Sequence, residues 1–312
     1  MHRFALLTSF ATLFLIFAGG LVTTTGSGLA VPDWPLSYGS LFPPMVGGVF
    51  YEHGHRMVAA AVGLLMVALA VWIFLREPRR WVGRLAAAAL AAVVVQGALG
   101  GLTVLLLLPP AVSITHACLA QTFFCLTVAL AVVTGPSWRK ARSRPPAGAA
   151  LAPAAIVLAA AVYLQLVVGA VMRHMGAGLA IPDFPLSFGT ILPPLDSAPV
   201  AVAFAHRFWG LVVALLALRM TARVIVVHRN DRALLVPAAL LGALAVAQVS
   251  LGALAVWTSR AMVPTTLHVA CGAAILGLSV VLALQTARLA RLGAGGAGGV
   301  RAVRAGALPR QG

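Results

Sequence analysis

The stretch GLAVPDWPLSYGSLFPP at residues 28–44 returns as GLAIPDFPLSFGTILPP at residues 178–194. Eleven of the seventeen aligned positions are identical, and the other six exchange similar side chains. Both copies lead into a His-Arg pair at an offset of 151, and a Gln-xxx-Gly motif and a histidine further on recur at an offset of 152. Such a constant offset indicates duplication of a unit of roughly 150 residues. Polar residues present in both units are therefore the first candidates for function.

The composition is typical of a polytopic membrane protein. Of the 312 residues, 61% are hydrophobic and 9% are charged, with a mean hydropathy of +1.01; soluble domains carry far more charge. The net charge of +16 raises the question of a nucleic-acid partner, but 18 of the 22 Lys and Arg residues lie at the connections after the second, fourth and sixth apolar runs or at the chain ends. Cationic residues are placed in this way in the cytoplasmic loops of membrane proteins. We therefore predict no nucleic-acid partner.

The apolar runs predict an all-α integral membrane fold. A spanning helix needs about 20 apolar residues, and eight runs meet that requirement. Four runs fall in each duplicated unit, which predicts two parallel tandem four-helix bundles. The runs lie near residues 5–23, 56–75, 84–106, 112–134, 151–172, 201–218, 234–257 and 263–287.

The positions of Lys and Arg predict the orientation. They cluster after the second, fourth and sixth runs and at both ends of the chain, so both termini are expected in the cytoplasm and the two repeated loops outside. The Gly- and Ala-rich end is expected to be disordered. The predicted units are an N-terminal half at 1–135, a cytoplasmic linker at 136–150, a C-terminal half at 151–288 and a disordered cytoplasmic tail at 289–312.

Four of the eight histidines recur between the halves, each near the outer end of an even-numbered span. A lone histidine in a span is most often a packing residue, but ionisable residues in the membrane are costly and usually functional. Two imidazoles on different helices suit the axial positions of a haem iron, whereas zinc would need three or four ligands. The pairs are His55 with His206 and His116 with His268; His2, His53, His174 and His228 are interpreted as loop or terminal residues.

Acidic residues are rare, and three of the six lie close to these histidines or in the repeated loops. Glu52 precedes His55 by three residues and shares its helical face if the helix starts early enough, while Ala203 takes its place in the second half. A carboxylate kept in one half distinguishes a reactive site from an electron-transfer site; a carboxylate at the positive end of the helix dipole is the alternative. Asp33 and Asp183 recur in the loops, either as parts of a lid or as Asx-turn residues.

A glutamine and a glycine, four positions apart, recur on three predicted helices, at Gln96, Gln165 and Gln248. Small residues let helices approach closely in a membrane, and amide side chains bond across them. This motif predicts close helix packing with an interhelical hydrogen bond.

Together these residues resemble the haem A synthase family over about residues 5–288. The features that carry the resemblance are eight spans in two halves, Glu-x-x-His opening the second span, histidines opening the next three even-numbered spans, and the Gly-Leu-x-x-Pro-Asp-x-Pro loops. The resemblance implies an enzyme of the bacterial cytoplasmic (inner) membrane that oxidises the C8 methyl group of haem O to the formyl group of haem A for cytochrome oxidase. Haem O, membrane lipid, haem O synthase, an unidentified electron donor or acceptor and a second copy of the chain are the implied partners.

The family's site residues map onto this chain one by one. The resemblance implies that His206 and His268 are the axial ligands of a haem b and that His55 and His116 frame the substrate haem O. Glu52 is then the essential carboxylate of the substrate site. Arg56 and Arg207, next to the ligand positions, are candidates for pairing with haem propionates, with snorkelling to the interface as the alternative.

The chain departs from many bacterial members in one respect. They have a cysteine pair in the first outer loop, whereas this chain has no cysteine between Gly26 and Tyr51. A thiol relay therefore cannot operate there.

Two other functions are compatible with parts of the pattern. A non-enzymatic dihaem cytochrome b would use the four histidines but gives no reason for Glu52 in one half only. A transporter built from parallel repeats would need polar or broken helices at the midplane, and the predicted helix centres are nearly all apolar.

Overall fold

The computed structural model describes residues 1–139 and 151–306, and the chain is all-α within these ranges. Eight of the helices there are long and apolar enough to cross a membrane, which confirms the predicted number of spans. The α-helices of the described ranges are α1 (His2–Thr24), α2 (Gly48–Arg76), α3 (Arg80–Leu105), α4 (Pro110–Thr134), α5 (Pro136–Arg139), α6 (Ala152–His174), α7 (Ala198–His228), α8 (Arg232–Trp257) and α9 (Met262–Gly306).

The helix starts follow from local chemistry. In lipid, each backbone N–H and C=O must be bonded within its own segment, so a long apolar run forms a helix. Proline occupies the first turn of α4, α6 and α7, where a missing N–H costs nothing. The start of α8 is capped by Asp231, whose Oδ1 accepts a hydrogen bond from the backbone N of Ala233 at 3.0 Å.

Two helices extend well beyond the apolar runs that predicted them. α2 begins at Gly48 instead of residue 56, and α7 covers Ala198–His228 instead of 201–218. The extra turns carry polar residues, which are tolerated because these turns reach the membrane–water interface. As a result, Glu52 lies inside α2, on the same helix as His55.

The interpretation of His53 as a loop residue is wrong. It lies inside α2 and is only 7% exposed. The error has the same cause as the late predicted start of α2, because the polar first turns of this helix interrupt the apolar pattern. His174 and His228 are the last residues of α6 and α7.

The helices contact one another in two rings. α1 contacts α2 and α4, and α3 contacts α2 and α4; α6 to α9 repeat this pattern. The rings meet through α1, α4, α6 and α9. Each ring has its own buried apolar cluster, which includes Met66 and Leu69 in the first and Leu234 and Leu241 in the second. Because lipid is as apolar as these side chains, close van der Waals packing holds the helices together.

Polar contacts also join the two rings. Arg173 at the end of α6 donates from Nη2 to the backbone O of Gly20 and to Oγ1 of Thr24, both at 3.0 Å. Deeper in the interface, the hydroxyl groups of Thr122 and Tyr163 lie 2.8 Å apart. Hydrogen bonds of this kind add specificity to helix packing in a membrane.

The predicted linker and tail are described in part. Residues 136–139 form α5, and residues 140–150 of the linker lie outside the described ranges. α9 continues to Gly306, so the described part of the segment predicted as a disordered tail is helical, and residues 307–312 lie outside the description.

We expect alkaline phosphatase, which is active only outside the cytoplasm, to be active when fused after residue 40 or 190 and inactive when fused after residue 78 or 230. The first two positions lie in the repeated loops, and the others lie in the short Arg-flanked connections. Fusions to green fluorescent protein at the same positions should give the inverse pattern. Equal activity at 40 and 78 would contradict the predicted orientation.

Candidate functional site

The four recurring histidines lie in the first turns of α2, α4, α7 and α9, at the end of the helices that carries the repeated loops. In the second half, the rings of His206 and His268 are neighbours, with centroids 6.3 Å apart and 65° between their planes. An imidazole–metal bond is about 2 Å long, so two imidazoles on opposite sides of one metal ion have centroids roughly 6 Å apart. This pair is therefore spaced as two axial ligands would be.

Each of these four imidazoles packs against a glycine of the preceding helix. A methyl group added at that glycine would meet the ring, because Cβ atoms almost never approach other atoms within 3.0 Å and protein interiors leave no spare space. With any other residue there, the ring would have to shift, most of all at Gly169, where the Cβ would be closer than 3.0 Å. The distances from a Cβ built on the glycine to the imidazole Cε1 are 3.1 Å for Gly19 and His55, 3.3 Å for Gly100 and His116, 2.9 Å for Gly169 and His206, and 3.1 Å for Gly252 and His268.

The Gln-xxx-Gly motif belongs to the same arrangement. Gln165 donates from Nε2 to the backbone O of His206 at 2.9 Å, so the predicted interhelical hydrogen bond is confirmed. The glutamine and the glycine of one motif contact the same histidine, which sequence reasoning missed. The shared spacing of the motifs and histidines was the available signal. Gln96 makes the same contact, from Nε2 to the backbone O of His116 at 3.0 Å. In the third pair the ring bonds the glutamine backbone instead, with Nδ1 of His268 3.1 Å from the backbone O of Gln248.

These side chains fit a haem better than a metal ion held by protein ligands alone. Within residues 1–139 and 151–306, no group of three or more His, Cys, Asp or Glu residues could hold a metal ion. A haem iron needs only two axial ligands from the protein. Buried polar atoms without a partner are rare in proteins, yet several lie here. They are Nδ1 of His55 and of His116 and Oε1 of Gln96, Gln165 and Gln248.

Each repeated loop is shaped by its aspartate. The carboxylate of Asp33 accepts hydrogen bonds from the backbone N of Tyr38 and Gly39 at 2.7 and 2.8 Å. Both donors have positive φ angles, 53° and 69°, which point consecutive N–H groups to one side. Asp183 makes the same bonds in the second loop. The aspartates therefore have the structural role that was the alternative to a lid residue, although they bond five and six residues ahead instead of two as in an Asx-turn.

The bonds to the loop also fix the charge of these aspartates. The backbone N–H of Gly39 is the main reason that the pKa of Asp33 lies below its usual range, and the N–H of Gly189 has this effect on the pKa of Asp183. A carboxyl group with a lowered pKa is ionised at neutral pH. Both loops are thus held by charged groups at physiological pH.

Each loop reaches across its ring. The first loop joins α1 to α2, yet its Trp34 contacts α3: a Cβ on Gly101 would lie 2.7 Å from Cδ2 of the indole. In the second loop, Phe184 packs edge-on against Trp257 of α8 at 6.2 Å, and Nε1 of Trp257 donates to the backbone O of Phe184 at 3.2 Å. The loops therefore span the outer ends of the rings that contain the histidines.

The arginines next to the histidines hold these loops. Because one guanidinium bonds several carbonyl groups, each arginine fixes the path of its loop relative to α2 or α7. Pairing of Arg56 and Arg207 with haem propionates stays a prediction. Arg56 donates to the backbone O of Asp33, Leu36 and Val31 at 2.7, 2.8 and 3.2 Å, and Arg207 donates to that of Asp183, Leu186 and Ile181 at 2.6, 3.0 and 2.7 Å.

Glu52 is buried, with 4% exposure, and both of its oxygens are bonded. Oε1 lies 2.6 Å from Nη2 of Arg56, and Oε2 accepts a hydrogen bond from the backbone N of Val31 at 2.8 Å. Charge-assisted bonds on both oxygens fix the position of the carboxylate. Ala203 can make neither bond, so the carboxylate is a feature of the first half alone.

We expect Gly169→Ala to lower the haem content, because its Cβ would lie 2.9 Å from Cε1 of His206. Gly63→Ala is the control, since a Cβ there has no neighbour within 4 Å. The control should be neutral or slightly stabilising, because alanine is a better helix former than glycine by about 1 kcal/mol. Haem per purified protein, measured by the pyridine haemochrome spectrum, checks the prediction. Equal haem content in the two variants would contradict the role of Gly169.

Comparison with known proteins identifies the family of the chain. The sequence profile of the family described as cytochrome oxidase assembly protein (COX15-CtaA) matches residues 2–47 and 47–280. A protein named Heme A synthase from Symbiobacterium thermophilum is 36% identical over 251 residues, which cover 78% of this chain and 81% of the relative. The Heme A synthase of Halalkalibacterium halodurans is 32% identical over 240 residues, 72% of this chain and 78% of the relative. That of Alkalihalophilus pseudofirmus is 28% identical over 276 residues, 86% and 92% of the two chains. The chain belongs to the cytochrome oxidase assembly protein family.

Proposed function

We propose that the chain is a haem A synthase, an oxidoreductase that converts the C8 methyl group of haem O to the formyl group of haem A. The family and the names of the relatives support this reaction over a non-enzymatic dihaem cytochrome. The structural observation that carries it is the difference between the two halves. Both have a pair of glycine-backed histidines, but only the first has a buried carboxylate next to its pair.

The second half would hold the resident cofactor, a haem b, between His206 and His268. Their 6.3 Å separation supports this assignment. When bound, this haem supplies one-electron redox chemistry, and the bis-histidine ligation sets its potential. The protein's part is to orient the two rings through Gly169 and Gly252 and to exclude water from the site.

The first half would bind the substrate, haem O, between His55 and His116. Two successive hydroxylations of the methyl group, each a two-electron oxidation that requires an external oxidant and an oxygen source, would give a gem-diol, which would lose water to form the aldehyde. Glu52 would act on the bound haem O, either by moving protons or by stabilising positive charge. Each carboxylate oxygen accepts one bond from Val31 or Arg56 and keeps a further lone pair for this task. The repeated loops with Asp33 and Asp183 would act as lids over the two sites.

The cellular setting follows from the same proposal. The chain would be a multi-pass protein of the bacterial cytoplasmic membrane with both termini in the cytoplasm, consistent with its eight spans and its bacterial relatives. Haem O synthase, an electron donor or acceptor and a second copy of the chain would be candidate partners. Arg56 and Arg207, which bond the two loops, would pair with the propionates of the haems.

We expect His206→Met and His268→Met each to lower the haem b content or to shift its absorption and potential, because axial ligand identity sets both. His228→Met is the control, since His228 is a buried histidine, at 8% exposure, that lies at the other end of α7. The measurements are haem content and redox titration of purified protein. Spectra identical to the unmodified protein in both ligand variants would remove this assignment.

We expect Glu52→Gln to reduce haem A to traces while haem b is retained and haem O accumulates. Glutamine keeps an acceptor for the backbone N of Val31 but cannot ionise, so the charge and the ion pair with Arg56 are lost. The bonds from Arg56 to the loop carbonyl groups can still hold the loop. Glu52→Ala should fail as well. Glu77→Gln, a carboxylate just beyond the other end of α2, is the matched control.

The test is haem extraction and chromatography from cells that also express haem O synthase. Haem A at the control level in Glu52→Gln would show that the carboxylate is a structural residue and would leave the reaction without its proposed acidic group.

A further inference from the structure

Glu52 is not the only polar residue that the second half lacks. At the equivalent positions, the first half has Glu52 and His53, whereas the second half has Ala203 and Phe204. The arginine that follows and the serine in the loop are present in both halves. Two adjacent residues of α2 are therefore polar where their counterparts on α7 are apolar. Both pairs lie under equivalent loops.

His53 bonds directly to the first outer loop. Its Nδ1 lies 2.8 Å from Oγ of Ser37, and both residues are buried, with 7% and 0% exposure. Nη1 of Arg56 donates to the same serine oxygen at 3.4 Å. Nδ1 and the serine hydroxyl form one hydrogen bond, and which of the two donates depends on the tautomer of the imidazole.

The first loop is thus attached to α2 at two points that only this half has. Glu52 accepts from the backbone N of Val31, and His53 bonds to Ser37, six residues further along the same loop. Arg56 joins these two points, because its guanidinium bonds Oγ of Ser37, the backbone O of Val31 and Oε1 of Glu52. A shift at Ser37 therefore reaches the group that pairs with the carboxylate. Loss of the serine contact would therefore disturb the bond that positions the Glu52 carboxylate.

The equivalent contact in the second half is apolar. Ile181, Val200 and Ala203 form a small buried cluster, and Phe204 packs against it. Phe204 thus supports its loop by van der Waals contact, without a hydrogen bond to direct any group. The second half keeps its loop in place and needs no positioned carboxylate.

We propose that His53 is a positioning residue of the substrate site: through Ser37 it holds the first outer loop in register with α2, so that Glu52 keeps its place. The inference rests on the proposed function of the first half. It adds His53, which the Glu-x-x-His pattern leaves unspecified, and it explains why a polar residue stands at this position.

The test replaces His53 with the residue of the second half, in His53→Phe, and compares it with His53→Asn. The amide of asparagine can accept a hydrogen bond from the serine hydroxyl or donate one to it, as Nδ1 of the neutral imidazole can. We expect His53→Phe to speed amide hydrogen exchange about tenfold in residues 31–40, the effect of losing one ordinary hydrogen bond. Residues 181–190 of the unchanged second loop are the internal reference.

The yield of haem A should fall roughly tenfold or more in His53→Phe, since small misplacements of a reacting group have effects of this size. His53→Asn should restore both the slow exchange and the yield. Phe204→His, the reverse change in the second half, should alter neither the yield nor the first loop. Loss of haem b from His53→Phe would indicate that this variant does not fold. In that case Ser37→Ala removes the same bond from the loop side, and we expect it to give the same faster exchange and lower haem A yield.

Two results would overturn the proposal. One is unchanged exchange at residues 31–40 in a folded His53→Phe or Ser37→Ala variant. The other is a low haem A yield in His53→Asn despite normal exchange, which would assign His53 a direct role toward the substrate. If the unmodified chain makes no haem A from haem O, the proposed function fails instead, while the exchange comparison still decides whether His53 holds the loop.

Discussion

The contact between a glycine and a histidine ring on neighbouring helices, made four times, is the constraint on which the rest of the structure depends. An ionisable side chain such as an imidazole is costly inside the membrane and is usually functional there. Each glycine leaves room for the ring, because a Cβ at that position would lie only 2.9–3.3 Å from Cε1 of the imidazole. Helix spacing, the glutamine contacts and the common depth of the four rings all follow from this arrangement.

On this shared framework, the halves differ in polarity where the repeated loops meet the helices that carry the histidines. Arg56 and Arg207 clamp the loops in the same way, and Asp33 and Asp183 shape the same turn. The first half adds Glu52 and His53, whereas the second fills the equivalent space with apolar side chains. A carboxylate held in a fixed position suits a site that must react, and an apolar contact suits a site that must only hold its cofactor. The same fold can therefore serve both tasks.

Much of the fold and of the candidate site could be predicted, because the sequence repeat reveals which residues both halves share. The number of spans, the four paired histidines and the asymmetry at Glu52 all depend on patterns that survive without a structure. The start of α2 could not be predicted in this way, because the polar first turns that carry His53 break the apolar run. The clamp by Arg56 was missed for another reason: its partners are backbone carbonyl groups, which have no signature in the sequence. Gly19 escaped notice because Leu15, not glutamine, stands four residues before it.

The even number of crossings in each duplicated unit bears on how such a chain arises. A segment that crosses the membrane four times ends on the side where it began, so a second copy joined behind it enters the membrane with the same orientation. An odd number would have inverted the second copy and separated the two sets of histidines by the thickness of the bilayer. Tandem fusion of a four-helix ancestor thus places both sites at one surface from the start. Afterwards, either copy is free to diverge while the other keeps the original chemistry.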